Sequence, residues 1–347
     1  MPATPYRLKD CAYGNCKIRR KKMLSRVANT IYWMCRYIER AENVARFISV
    51  NLNLLLDMPM EKGNHWEPLV MITGDQKVFE KNYPDYDKKQ VIRFLTFDRE
   101  YPNAIITCLA AARENARSIR EIISSDMWEH LNNFYLELSD NCSPDFALSD
   151  PHRFFKIIQM RSHLFTGLMD CTMSHGEAWN FARIGMMLER ADKTSRILDV
   201  KYFMLLPQAD LVNTPLDNIQ WSAVLKSASA LEMFRKRYHR ITPRNVADFL
   251  IFDEGFPRSM RHCVAKANVC LNRIDGSAPT GPPQNAAEKQ LGRLEADLTY
   301  TDIDEVIDQG MHEYLDGMQT RLNRVDTTIG TTFFNIKLAA NTGVQEQ

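Results

Sequence analysis

Residues 24–56 read LSRVANTIYWMCRYIERAENVARFISVNLNLLL. Val27, Ala28, Ile31, Met34, Cys35, Ile38, Ala45, Leu52 and Leu56 keep returning to one face at about 100° per residue, the period of a long amphipathic helix. A second long pattern covers residues 181–206, carried by Phe181, Ile184, Leu188, Ser195, Leu198, Tyr202 and Leu206. Residues 105–123, 154–173, 221–238, 259–274 and 306–338 carry the same period. Alternation of period two never persists, and no Asn-Gly or Asp-Gly turn joins two apolar runs. Prolines 59, 84, 144, 151, 207, 215 and 243 interrupt the helical pattern where a helix must stop or restart. The expected fold is all-α.

Composition agrees. The chain has 347 residues, 45% of them hydrophobic and 25% charged, the balance of a globular protein. Only 14 glycines and 15 prolines interrupt it, which favours long elements. With 44 basic against 43 acidic residues the net charge is +1, so no global field draws the chain to nucleic acid or an anionic membrane. No run approaches the ~20 apolar residues of a membrane-spanning helix. The N-terminus carries Lys17, Arg19, Arg20, Lys21 and Lys22 but no apolar segment or cleavage site, so it does not read as a secretory signal. Residues 1–22 read as a disordered leader, 276–285 (GSAPTGPPQN) as a mobile loop and 339–347 as a flexible tail. The eight cysteines include no CxxC pair, and several fall among apolar neighbours, as buried thiols in a reducing cytoplasm would.

The chain matches itself. At an offset of 150, Glu39-Arg40-Ala41 returns as Glu189-Arg190-Ala191, Arg46 as Arg196 and Leu55-Leu56 as Leu205-Leu206. At 155, Trp66 returns as Trp221, Phe94 to Asp98 with Pro102 as Phe249 to Asp253 with Pro257, and Cys108 as Cys263. This colinear series predicts two duplicated helical halves about a pseudo-twofold axis, repeat A about 23–140 and repeat B about 172–325. The period is too long for a solenoid.

On the wheel of the first long helix, Glu42 lies about 40° from Ile38, inside the apolar stripe, with Arg46 at about 80° and Glu39 at about 100°. Asp192, Arg196 and Glu189 repeat this geometry around Leu188. Acid precedes base by four residues in both copies, the favourable direction for an intrahelical pair. Charges so placed must be paired, networked or facing a wet cavity. Arg40 and Arg190 fall at roughly 200°, almost opposite the stripe, and are expected to meet another helix layer or to reach solvent and a partner. Arg36 could join Arg40 in binding an anion, although Met186 stands at its counterpart. Asp98 and Asp253, each followed by a proline, read as marking the start of a helix rather than as ligand contacts.

The signatures of other chemistry are absent from the sequence. There is no phosphate loop, GxGxxG, HExxH or Gly-x-Ser-x-Gly elbow, and no Glu-x-x-His pair of the di-iron type. His163, Asp170, His175 and Glu177 form a loose polar cluster of no recognised metal spacing. Tyr32, Trp33, Tyr37 and Phe47 read as packing. Neither a metal nor a cofactor is expected, and the arginines beside the acids oppose a dication.

Three stretches, MLSRVANTIYWMCRYIERAENVARF (23–47), FDREYPNAIITCLAAARENARSIREIISSDMWEHLN (97–132) and TMSHGEAWNFARIGMMLERADKTSRILD (172–199), closely resemble the bacterial alpha-E family, named for an all-helical domain with Glu-Arg motifs. The resemblance covers about residues 23–338, and on its pattern the motifs are Glu39-Arg40 and Glu189-Arg190. Met186 departs from the arginine more typical before the second Leu-Glu-Arg. The resemblance implies a companion of a circularly permuted ATP-grasp protein and of transglutaminase-like peptidases, in a system that ligates amides or peptides. Three readings follow: a cytoplasmic accessory subunit that binds the ATP-grasp partner or its amino-acid or peptide substrate; a stand-alone enzyme using Glu39 and Glu189 in a polar cavity; and a structural scaffold. Glu39, Arg40, Glu189 and Arg190, with Arg36, are the functional candidates, and Glu42, Arg46, Asp192 and Arg196 the supporting ion pairs.

Overall fold

The computed structural model describes residues 23–57, 65–140, 144–205, 215–277 and 281–335. The expected leader (1–22) and tail (339–347) lie outside them. The described chain is helical throughout, with no strand. Its first part holds α1 (Ser25–Asp57), α2 (Glu67–Thr73), α3 (Gln76–Asn82), α4 (Lys88–Phe97), α5 (Ile105–Ser118), α6 (Ser125–Asp140), α7 (Pro144–Ser149) and α8 (Pro151–Thr172). The second holds α9 (Glu177–Leu205), α10 (Pro215–Ser227), α11 (Leu231–Arg237), α12 (Pro243–Phe252) and α13 (Met260–Asp275). It ends with α14 (Ala286–Tyr300), α15 (Ile303–Gln309), α16 (Met311–Ile329) and a π-helical turn, Gly330–Phe334.

The two longest helices, α1 and α9, lie against each other at the centre. α5, α8 and α10 pack on α1, while α13, α16 and α2 pack on α9. The outer layer is α6 against α5 and α8, and α14 against α13 and α16. Both central helices are therefore covered on almost every side: Ala41, Val44 and Ile48 of α1 are as buried as Ile31 and Ile38. A single apolar stripe does not describe such a helix. The contact between them is close. A Cβ built on Gly185 would stand 2.4 Å from the Tyr32 carbonyl oxygen, so glycine is what lets α9 approach the α1 backbone.

Local signals set the ends. Asp87, Asp150, Thr242, Ser259 and Asn285 each accept a hydrogen bond from a backbone N–H of the helix they precede. Pro151 and Pro243 occupy the first turn, where no N–H is missed. Two expected helices are each broken in two. The pattern at 221–238 stops at Ser227 and resumes at Leu231 because Ser229 turns left-handed (φ 52°). The pattern at 306–338 breaks at Gly310 (φ 100°).

Two aromatic clusters brace the short helices. Phe79 stacks on Tyr83 (5.1 Å between centroids), meets Phe94 edge-on, and Phe94 stacks on Tyr101 at 4.0 Å. Phe234 stacks on Tyr238 (4.9 Å), meets Phe249 edge-on, and Phe249 packs on Phe256 at 4.9 Å.

The central contact makes Gly185→Ala an overpacking mutation against backbone, which cannot swing aside. Urea unfolding should show a loss of about 1–3 kcal/mol, whereas the same change at Gly317, whose Cβ position is open, should be neutral or stabilising.

Candidate functional site

The Glu-Arg motifs meet across the α1–α9 contact and exchange partners. Arg40 reaches Glu189 with two parallel hydrogen bonds, Nε to Oε1 at 2.7 Å and Nη2 to Oε2 at 3.0 Å. Arg190 returns the contact to Glu39, Nε to Oε1 and Nη2 to Oε2, both at 2.8 Å. Both are fork-to-fork pairs, the strongest arrangement a guanidinium and a carboxylate can adopt. Of the two expected environments for Arg40 and Arg190, another helix layer or solvent, the structure shows the first. Their direction leads to the other long helix, and only 15% and 12% of their side chains remain exposed.

Each carboxylate takes further donors. Glu189, fully buried, also accepts from Arg36 Nε at 2.9 Å and lies 3.6 Å from Lys193 Nζ. Glu39 also accepts from Arg258 Nη1 at 3.0 Å and Asn43 Nδ2 at 3.1 Å. Met186 is buried beside Glu39, and the cation there comes instead from Arg258, just ahead of α13. Glu42 contacts Arg46 one turn on and accepts from Arg258 Nη2 at 3.1 Å; Asp192 pairs with Arg196 at 3.0 Å and Lys193 at 3.2 Å.

The network extends outward. Arg40 Nη1 donates to Asn103 at 2.6 Å, and both Asn103 and Tyr101 donate to Asp75, at 3.0 and 2.6 Å. Arg36 Nη1 and the Tyr32 hydroxyl both donate to Asp326 of α16, each at 2.5 Å. Arg258, Lys193, Asn103, Asn43 and Asp326 are not among the candidates that the sequence singles out. For two of them a signal existed: Asn103 and Arg258 follow the prolines 102 and 257 that match at the offset of 155.

Asp98 and Asp253 play another part than expected. Each stands at the C-terminal end of a helix, α4 or α12, and not at the start of the next. Asp98 accepts from the Glu100 N–H and the Tyr83 hydroxyl, both at 2.9 Å. Asp253 accepts from the N–H groups of Gly255 and Phe256, at 2.9 and 2.7 Å, and pairs with Arg237. The prolines fall in the connecting turns, three residues ahead of α5 and of α13. Pro102 and Pro257 present their carbonyls there to the Cys108 and Cys263 thiols.

Electrostatics keep these groups out of proton chemistry. Burial pushes the Glu39 carboxyl up, but Arg190 and Arg258 outweigh it and hold it far below the usual range. Arg40, Lys193 and Arg36 do the same for Glu189 against its burial, as Lys193 and Arg196 do for Asp192. Burial and the repulsion of Arg190 lower Arg258 to about 10 despite Glu39. His163 Nε2 lies 3.2 Å from Glu42 Oε1, yet burial and then Arg46 and Arg258 depress it to about 4, so it is neutral at pH 7. Burial raises the Cys35, Cys108 and Cys263 thiols to about 12, which leaves them unreactive. A cavity of about 20 Å3 borders Glu39, Glu42, His163 and Arg190, room for about one water. Among the described residues no group of three His, Cys, Asp or Glu side chains could hold a metal ion.

Because the native carboxylates have depressed pKa values, the unfolded chain binds protons that the folded one refuses. Stability contributed by Glu39 and Glu189 is present above the unfolded value of about 4.3 and is lost as pH falls below it. Urea unfolding between pH 7 and pH 3 should show a steep decline below about pH 4.5, and a shallower one in Glu189→Gln. Equal slopes would mean that Glu189 titrates normally in the folded protein.

Comparison with known proteins agrees with this architecture. The family model of Alpha-E, described as a predicted alpha-helical domain with a conserved ER motif, matches residues 23–334. An uncharacterized protein of Mycobacterium bovis and one of Mycobacterium tuberculosis are each 22% identical to this chain over 331 residues, which covers 88% of it and 36% of each relative. The chain thus spans about a third of the length of these curated relatives. No solved structure matches it. With an all-helical fold built around two Glu-Arg motifs and a match over nearly its whole length, the chain belongs to the Alpha-E family.

Proposed function

We propose that this chain is a helical accessory subunit, or substrate-binding partner, in an ATP-grasp-linked amide or peptide ligation system, and that its Glu-Arg network is a structural clamp. The observation that carries this reading is that both motif carboxylates are consumed in ion pairs inside the protein, beside a cavity of only about 20 Å3. A stand-alone enzyme needs a site of substrate size and a group that exchanges protons near the working pH. Glu39 and Glu189 offer neither. The ATP-grasp link rests on the resemblance of the motifs to the alpha-E pattern. In the mycobacterial relatives the matching region is about a third of a longer polypeptide, which suits a unit that works beside another.

The same proposal includes a duplication about a pseudo-twofold axis. In its favour, the paired motifs are reciprocal, Arg40 to Glu189 and Arg190 to Glu39. The aromatic clusters also correspond one by one at the 155-residue offset: Phe79 with Phe234, Tyr83 with Tyr238, Phe94 with Phe249 and Tyr101 with Phe256. The caps Asp98 and Asp253 keep the same offset. Helix α2 packs on α9 while α10 packs on α1, so each half lends a short helix to the other's long one.

The test is reconstitution with the ATP-grasp protein of the source organism. The chain should co-purify with it and be required for ATP-dependent amide formation from amino acids or peptides. Product formation by this chain alone, or unchanged ligation in its absence, would overturn the reading.

A further inference from the structure

A groove of about 410 Å3 opens where the C-terminal end of α1 meets α10 and α11. Its floor is apolar, with Leu54 and Leu231 buried. Lys226 and Arg235 stand on its rim, both exposed and neither in an ion pair among the described residues. Their basic neighbours differ: Asp253 holds Arg237, and Asp304 holds Arg244 at 2.7 Å. Asn53, Asn218 and Ser222 also line the wall, and no carboxylate is among the described lining residues. Glu232, one turn before Arg235 on α11, makes no ion pair with it. Lys236 and Arg240, exposed beside the groove residues Arg235 and Ile241, add to the positive field of this edge.

We infer that this groove binds a short peptide whose free carboxylate lies next to an apolar side chain. Arg235 offers the planar fork that pairs with a carboxylate, and Lys226 adds a point charge across the rim. Leu54 and Leu231 take the apolar side chain out of water. Asn53, Asn218 and Ser222 supply the donors and acceptors that a peptide backbone requires. A fatty acid would satisfy the cations but would displace water from these three groups without replacing its hydrogen bonds. The volume falls in the range of ligand-binding clefts, whereas the cavity at the Glu-Arg network holds about one water. Service as the substrate arm of a ligation system rests on the function proposed above; the binding itself does not, and it is measured without any partner.

The test is calorimetry on the full chain at low salt, with N-acetyl-alanyl-leucine as the free acid and as its C-terminal amide. The acid should bind at least about tenfold more tightly than the amide, a difference of one charged contact. Arg235→Met and Lys226→Met should each weaken acid binding by about tenfold, with melting temperatures unchanged because both side chains are exposed. Arg244→Met, already engaged by Asp304, should bind as wild type does. Equal affinity for acid and amide, tighter binding of decanoate than of the peptide acid, or wild-type affinity in both rim variants would overturn the inference. Peptide binding together with failed reconstitution would leave the groove standing and remove only the ligation role.

Discussion

Everything in this structure depends on four side chains that cross between two helices. Arg40 holds Glu189 and Arg190 holds Glu39, each by a two-bond fork, in a place from which water is almost entirely excluded. Burying such charges costs several kcal/mol per ion, and only excellent geometry repays it. The geometry here is fixed by position. A slip of α1 along α9 by one turn would break both forks at once, separating Arg40 from Glu189 and Arg190 from Glu39. The reciprocal exchange therefore selects one register out of several that the apolar contacts alone would permit. Gly185 makes that register reachable, since any side chain there would hold α9 off the Tyr32 backbone.

The surrounding helices complete the pairs. Arg258 supplies Glu39 with the second cation, next to the buried Met186, and Arg36 supplies Glu189. Asp326 of α16 secures Arg36, and Asn103, just ahead of α5, secures Arg40. Helices that contribute one residue each are thereby tied to a common centre. The price of this arrangement is chemical inertness: carboxylates held ionised by two or three cations neither give nor take protons near neutrality. On the surface, by contrast, Lys226 and Arg235 make no ion pair among the described residues.

Much of this was legible in the sequence and some was not, for physical reasons. The helical period of residues 24–56 and 181–206 led directly to the two central helices, and the four-residue spacing of Glu42 and Arg46 and of Asp192 and Arg196 to intrahelical pairs. The wheel places Arg40 and Arg190 opposite the stripe and leaves open whether they meet another helix or solvent, because it carries no information on what packs there. A helix surrounded by others has no exposed face, and the side opposite its most apolar stripe can be its most important contact. The partners of Arg258 and Asn103 lie far away in sequence, so helical periodicity does not connect them, and only the prolines matched at the offset of 155 mark their place. The breaks at Ser229 and Gly310 arise from single residues of positive φ within otherwise helical composition. Ser229 has no side-chain signature for such a conformation. The groove carries no signature in the sequence, since its walls come from three helices.

The most direct measurement is a double-mutant cycle on Arg40 and Glu189 by urea unfolding of the full chain. Arg40→Ala alone should cost about 1.5–3 kcal/mol, the range for hydrogen bonds to a charged group. The coupling energy with Glu189→Ala should lie near the top of the range of about 0.5–3 kcal/mol seen for residues in direct contact. An Arg40→Ala protein within about 0.5 kcal/mol of wild type, the behaviour of an ordinary surface position, with coupling near zero, would contradict the claim that the crossed pairs hold the fold together.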